Sequence, residues 1–305
     1  MERLNWHMIQ EIGKGCSVSV IAPEEAIALL PKNAKGIGMK SSPIWRFLAK
    51  SFFSAIKHAL LKRPKVILGG SGLVAPAVTI AARLCGATSV VYVHGLDVAV
   101  KHALYRAIWI PLLARADLII ANSHKTAVLC HERGIPANKV TVVHPGVSMP
   151  APRTQLESKI NDFQGRHSLA NRTVLMSVGR LTTRKGILEF VKCALPTIVA
   201  KIPDAVLVVI GDTAQDSLLA TSQSPESIRE AARANGIENH LLFVGKITNQ
   251  EELSAAYYSA DVHVFPVRTL ANDPEGFGMV AVEAAAHGLP TVAFATGGIV
   301  DAVKP

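Results

Sequence analysis

The sequence predicts an α/β protein built on two doubly wound parallel sheets. Three observations carry that expectation. Short, continuous apolar runs alternate with longer segments of helical period along most of the chain, which is the pattern of strands covered on both faces. The alternation lapses in a polar stretch, 149–172, and then restarts. The two halves also differ in charge. Residues 1–150 carry 18 Lys/Arg against 7 Asp/Glu, a net +11, and residues 151–305 carry 14 against 16, a net −2. Two domains with different partners, 1–150 and 151–305, fit that asymmetry and the length of 305 residues.

Composition narrows the class further. The four cysteines, Cys16, Cys85, Cys130 and Cys193, are scattered without metal-ligand spacing and read as buried thiols of a reducing, cytoplasmic compartment. The first twenty residues lack the apolar core of a signal peptide. The uncharged run between Lys65 and Arg83 contains Gly69, Gly70, Gly72 and Pro76, so it reads as strand, loop and helix rather than as a membrane span.

In chain order, Leu4, Met8, Ile9 and Ile12 give a first helix that Gly13 and Gly15 end. Residues 16–22 alternate and are β-branched, so they form a strand. Because such a domain ordinarily opens on a strand and a tight glycine turn, both are expected to precede Glu2. A helix over 43–62, from Pro43 to Lys62, places Arg46, Lys50 and Lys57 along one line and Trp45, Leu48, Phe52, Ile56 and Ala59 on the other side. No acidic residue occurs between Glu25 and Asp97. A basic amphipathic helix in an acid-free segment suits an anionic membrane surface, although an ordinary surface helix packed on a sheet has the same pattern.

Strands follow at 65–68, 89–93, 118–121 and 140–143, and helices at 73–84, 101–115 and 123–133, the last capped by Asn122 or Ser123. Ligands bind at the carboxyl ends of parallel strands. His94 stands at such an end and reads as functional, whereas His144, in His144-Pro145-Gly146, reads as structural. The polar stretch 149–172 reads as the crossing between domains. Beyond it come strands at 174–178, 205–210, 241–244, 262–265 and 291–294, and helices at 187–200, 226–235, 251–259 and 279–287. Pro196 should kink or shorten its helix.

Two stretches of the second half carry chemistry. Gly179 to Gly186 forms a strand-to-helix turn with Arg180 and Lys185 five positions apart, a guanidinium and an ammonium suited to a diphosphate. Asn272 to Pro290 contains Glu275 and Glu283, eight positions apart, with Gly276 and Gly278 where loop becomes helix. A phosphate could rest on the helix start at Phe277, Gly278 and Met279, with Glu275 and Glu283 accepting from hydroxyls on either side. A nucleoside diphosphate sugar presents its groups in that order. Two solvated acids beside a plain turn satisfy the same spacing.

Together these motifs resemble the retaining glycosyltransferases of the large family four, which includes bacterial phosphatidylinositol mannosyltransferases and many lipopolysaccharide and exopolysaccharide transferases. The resemblance rests on Glu-Arg-Leu-Asn-Trp-His at 2–7, Val-His-Gly at 93–95, Ala-Asn-Ser at 121–123, His-Pro-Gly-Val at 144–147 and Val-Gly-Arg-Leu at 178–181. It continues with Lys-Gly at 185–186, Val-Gly-Lys at 244–246, Ser-Ala-Asp-Val at 259–262, Pro-Glu-Gly-Phe-Gly at 274–278 and Gly-Leu-Pro-Thr-Val-Ala at 288–293.

The resemblance implies the GT-B fold, two Rossmann-like domains facing a cleft, with the acceptor on the first and the nucleotide sugar on the second. By that implication Arg180 and Lys185 hold the diphosphate, Glu275 accepts from sugar hydroxyls and Glu283 from the ribose. The backbone at Gly276, Phe277, Gly278 and Met279 meets phosphate and sugar, Gly179 lies in the phosphate turn, and the backbone near Lys246 and Ile247 reads the base. His94 touches the sugar near the reaction centre. No metal and no cofactor are expected, the nucleoside diphosphate sugar being a co-substrate, and the anomeric configuration is retained. The expected partners are that nucleotide sugar, a lipid-linked or glycan acceptor and an anionic membrane surface, the last making the protein peripheral on the inner face of the membrane; nucleic acid is not among them. The family pattern extends before Glu2 and beyond Pro305, so a nucleotide-binding chain without turnover is the alternative. A nucleotide-sugar epimerase shares the architecture but has no need of Glu275 and Glu283 with Arg180 and Lys185.

Overall fold

The computed structural model describes residues 2–213, 223–270 and 273–304, with Asn272 of the acidic stretch lying outside them. The chain divides into two compact units, Met1–Pro145 and Gly146–Pro305.

The first unit runs α1 (Glu2–Ile12), β1 (Val18–Pro23), α2 (Glu24–Ile27), β2 (Ala34–Met39), α3 (Ile44–Lys62), β3 (Val66–Gly69), α4 (Ala75–Cys85), β4 (Thr88–Val93), α5 (Leu96–Ala99), α6 (Ala103–Ala114), β5 (Leu118–Ala121), α7 (His124–Glu132) and β6 (Val140–Val142). Strands β3, β4, β5 and β6 form a parallel sheet in sequential order, and β1 and β2 form a separate parallel pair. The core beneath the four-stranded sheet is made by Val91, Val93, Ile119 and Ala121 with Val78, Leu113 and Cys130 from the helices. Of the two candidate caps for α7, Ser123 is the one used, its hydroxyl accepting from Thr126 N at 3.1 Å.

The second unit runs α8 (Glu157–Arg166), β7 (Thr173–Val178), α9 (Ile187–Cys193), α10 (Leu195–Lys201), β8 (Ala205–Ile210), α11 (Pro225–Ala234), β9 (Leu241–Gly245), α12 (Gln250–Tyr258), β10 (Val262–Phe265), α13 (Met279–Ala286), β11 (Thr291–Ala293) and α14 (Ile299–Ala302). Its parallel sheet has the order β11-β10-β7-β8-β9. Alternate residues feed opposite cores: Val174, Met176, Val206 and Val208 on one face, Leu175, Leu207, Val209 and Val264 on the other. Burial on both faces is why these strands read as unbroken apolar runs. The chain visits β8 and β9 on one side of β7 before returning to β10 and β11 on the other. The order therefore reverses between β7 and β10, which opens a crevice at their carboxyl ends.

Four expectations are corrected, and one strand was not foreseen. The stretch 149–172 is not merely a crossing, because α8 lies within it and buries Ile160 and Phe163 against the core. Its exposed face carries Lys159 and Arg166, paired with Glu251 and Glu252 of α12, and those charges masked the apolar stripe. Trp45 does not share the buried side of α3 but is 62% exposed. Cys16 and Cys193 are exposed thiols, whereas Cys130 is buried. Strand β2 went unanticipated because Gly36 and Gly38 break its β-branched pattern. A Cβ on Gly36 would lie 2.7 Å from Ile27, so glycine there lets α2 close onto the strand. The expected helix over 187–200 is two, α9 and α10, meeting at Ala194 with Pro196 in the first turn of the second.

Candidate functional site

The loops after β7 and β10 border the crevice, and the candidate site is built from them. Residues Thr183–Lys185 form a single 3-10 turn closed by Gly186 at φ +70°. A Cβ on Gly186 would sit 2.1 Å from the Pro266 carbonyl oxygen, so only glycine lets this turn press onto the end of β10. That contact delivers Lys185 to Glu275: Nζ donates to Oε2 at 2.9 Å and also lies 4.6 Å above the Phe265 ring. Arg184, unmarked by the sequence reading, donates from Nη1 to the same Oε2 at 2.7 Å and to the Pro274 carbonyl at 3.2 Å. Its Nε lies 3.2 Å from Asp273 Oδ1. From behind, Gly298 N donates to the Glu275 carbonyl at 2.9 Å, and a Cβ on Gly297 would come within 2.6 Å of that oxygen.

Two cations on one almost fully buried carboxylate determine its charge. Burial alone would push the Glu275 carboxyl up, but Lys185, Arg184 and Arg180 together bring it below the usual carboxylate range. Burial pulls the Lys185 ammonium below its ordinary value, and Glu275 opposes that shift. Arg180 is exposed at the mouth of the turn. Gly179, at φ +144°, takes its place beside Gly211, where a Cβ would strike the Gly179 carbonyl at 1.9 Å.

Gly278, at φ +96°, caps α13 without a side chain, and a Cβ there would meet the Phe265 ring at 2.9 Å. Phe265 is thus the shared floor under Lys185 and the start of α13. The Phe277 side chain is buried, so only its backbone is placed for a ligand. Glu283 lies one helical turn on, half-buried, where its Oε2 accepts from the Tyr257 hydroxyl at 3.1 Å. Tyr257 in turn stacks on His287 at 4.7 Å, and His287 Nε2 lies 3.0 Å from Ser254 Oγ. Lys246 is exposed after β9, and Ile247 packs against the core.

His94 belongs to the first unit, at the end of β4. Its Nε2 is 2.9 Å from the Gly70 carbonyl oxygen, which only accepts, so Nε2 carries the proton. Burial lowers the ring's affinity for a second proton, against the opposing pull of Asp97. The ring is therefore neutral, with Nδ1 as an acceptor. Asp97 braces the site by accepting from His94 N at 2.9 Å and Gly72 N at 2.8 Å, a role the sequence reading missed.

The structure thus joins Glu275 with Lys185 and aligns both with the α13 start and Glu283. Arg184, Asp273, Tyr257, Gly297 and Gly298 complete the site. The signal for Arg184 was its position in a 3-10 turn beside Lys185: successive side chains there diverge by about 120°, so both can reach one acid only if it lies between them.

Two family profiles tile the chain. The one described as Glycosyltransferase Family 4 matches residues 2–149, and Glycosyl transferases group 1 matches residues 158–305. The chain belongs to the family-four glycosyltransferases. Among curated relatives, this family member is 31% identical over 177 residues to a GDP-mannose-dependent alpha-(1-6)-phosphatidylinositol monomannoside mannosyltransferase of Mycobacterium tuberculosis, covering 55% of this chain and 41% of that one. It is 31% identical over 193 residues to D-inositol 3-phosphate glycosyltransferase 2 of Catenulispora acidiphila, covering 62% and 42%. The chain spans about two-fifths of the length of the curated relatives it matches. Its fold is that of the GT-B glycosyltransferases. HepE of Anabaena in complex with UDP superposes with a TM-score of 0.76 at 20% identity, covering 100% of this chain and 79% of that one. WaaG, a glycosyltransferase involved in lipopolysaccharide biosynthesis, superposes with a TM-score of 0.64 at 17% identity, covering 98% and 78%.

Proposed function

We propose that this chain carries the site of a retaining, metal-independent glycosyltransferase that moves a hexose from a nucleoside diphosphate sugar to a lipid-linked or glycan acceptor. The buried Glu275 carboxylate, ionised between Lys185 and Arg184 at the switch point of the second sheet, supports this reading most. Glu275 Oε1 accepts from donor sugar hydroxyls. Lys185 and Arg180 hold the diphosphate and neutralise charge that grows as the glycosidic bond breaks, which gives the site its own source of electrostatic stabilisation. Amides at the start of α13 face the phosphate, and Glu283, oriented by Tyr257, accepts from the ribose. Neutral His94, on the first unit, has Nδ1 as an acceptor for a sugar hydroxyl. Attack comes from the face the nucleotide leaves, and the departing phosphate takes the acceptor proton. The mycobacterial relative named above makes GDP-mannose the first donor to try, with phosphoinositide-type lipids as first acceptors. Helix α3 would rest on an anionic membrane, making the protein peripheral on its cytoplasmic face.

The test is calorimetry against UDP, GDP and ADP sugars, followed by transfer assays of wild type and Glu275→Gln. One base should bind; the variant should keep nucleoside diphosphate affinity within about threefold and lose at least about 100-fold in transfer. Binding of no nucleotide, or transfer surviving in the variant, would overturn the reading.

A further inference from the structure

The two cations on Glu275 are not equivalent. Lys185 ends a flexible stem, and among the described residues its ammonium donates only to Glu275. Arg184 is 6% exposed and faces three consecutive residues at once: Nη1 donates to both the Pro274 carbonyl and Glu275, and Nε lies 3.2 Å from Asp273 Oδ1 as an ion pair without hydrogen-bond alignment. We propose that Arg184 is a positioning residue that staples the loop 273–275 and remains on the Glu275 carboxylate when Lys185 turns toward the donor diphosphate. The proposal rests on the reading that Glu275 faces the donor sugar.

The physical reason is charge bookkeeping in a dry site. A phosphate that recruits Lys185 removes one of the cations holding Glu275 ionised. Without Arg184 the carboxylate would be left buried and unpaired, and it would take up a proton or leave its place. With Arg184 it stays charged on Oε2, and Oε1 stays free to accept sugar hydroxyls. A planar guanidinium fixes direction as well as charge, which an ammonium does not.

Arg184→Met and Arg184→Lys test this by two readouts. The first is the affinity ratio of nucleoside diphosphate sugar to nucleoside diphosphate, by calorimetry. The second is titration of the Glu275 side-chain carboxyl by 13C NMR. In Arg184→Met the diphosphate should bind within about threefold of wild type, the ratio should fall about 30-fold, and the carboxyl midpoint should move up. Arg184→Lys should restore the midpoint but leave the ratio about tenfold low, since the charge returns without the fork. An unchanged ratio and midpoint in Arg184→Met, or an equal loss of diphosphate and sugar nucleotide, would overturn the proposal, the second by making Arg184 a phosphate ligand. If Arg184→Met melts early, Arg184→Lys decides alone, and an unchanged ratio there overturns it. If wild type binds sugar nucleotide no better than diphosphate, the role of Glu275 fails instead, and the NMR midpoint still judges Arg184.

Discussion

His263 shows at the scale of one residue how the site sets limits on its surroundings. It is fully buried in β10, with Nδ1 3.1 Å from Thr291 Oγ1 and its ring stacked on Phe265. Burial first, and then repulsion from Lys185, lowers its pKa from 6.5 to about 4. The folded protein therefore stays neutral at His263 where the unfolded chain is already protonated. Stability is lost as pH falls from 6.5 toward 4, by on the order of 3 kcal/mol. His263→Phe should flatten the fall in melting temperature across that window; an unchanged slope would mean that other groups cause it. Lys185 and Glu275 were legible as residue types. Their direct pairing was not, because they lie far apart in sequence and meet only through Gly186 and the reversal of strand order between β7 and β10. Nothing in the spacing marks Tyr257, whose role shows only in the contact of its hydroxyl with Glu283.

Among the elements, α3 departs most from its sequence pattern. Arg46, Lys50 and Lys57 do lie on an exposed face, but Phe53, 69% exposed, and Leu60 share it, with Trp45 and Leu61 alongside. The Arg46 guanidinium lies 5.0 Å from the Trp45 ring. The helix thus presents cations and large apolar side chains together, as an interfacial helix does. Sequence periodicity assigns sides relative to a core but cannot say how much of an apolar side the core covers. Arg46, Lys50 and Lys57 all changed to Glu should reduce binding to vesicles rich in phosphatidylserine at least about tenfold, since each basic residue near such a surface contributes about 1 kcal/mol. Binding unchanged in a sedimentation assay would remove the membrane reading. No helix among the described residues is long and apolar enough to cross a membrane. The strands of the second unit were the most legible elements, since a run such as Ala205–Ile210 has to be apolar throughout when both faces are covered. Helix α8 was hidden for the opposite reason: it covers the core with a narrow stripe and turns four charges outward.

On the scale of the whole chain, each unit has its own parallel sheet and its own apolar core. The apolar restart after 149–172 and the charge contrast both announced this division, because composition averages over many residues and survives local errors. The second unit contains the Glu275 cluster, Glu283 and Arg180 within its own chain. Residues 146–305 expressed alone should therefore melt in one cooperative transition and retain nucleoside diphosphate affinity within about tenfold of the full chain. A fragment that stays unfolded by near-UV circular dichroism would show that the first unit supplies part of its core.

The glycines behind Glu275 set a limit on how small such a fragment can be made. A piece trimmed back to strand β11 would keep Arg180, Lys185, Lys246, Glu275 and Glu283, the ionisable residues that the motifs of this half select. It would nonetheless lose the amide of Gly298 that grips the Glu275 carbonyl and the close approach of Gly297 that holds the loop in place. Fragment screening for ligands on such a piece would report on a carboxylate whose backbone had been let go. A saturation library across 297 and 298 would mark the same boundary, tolerating nothing bulkier at 297 while the ionisable residues beside it stayed unaltered.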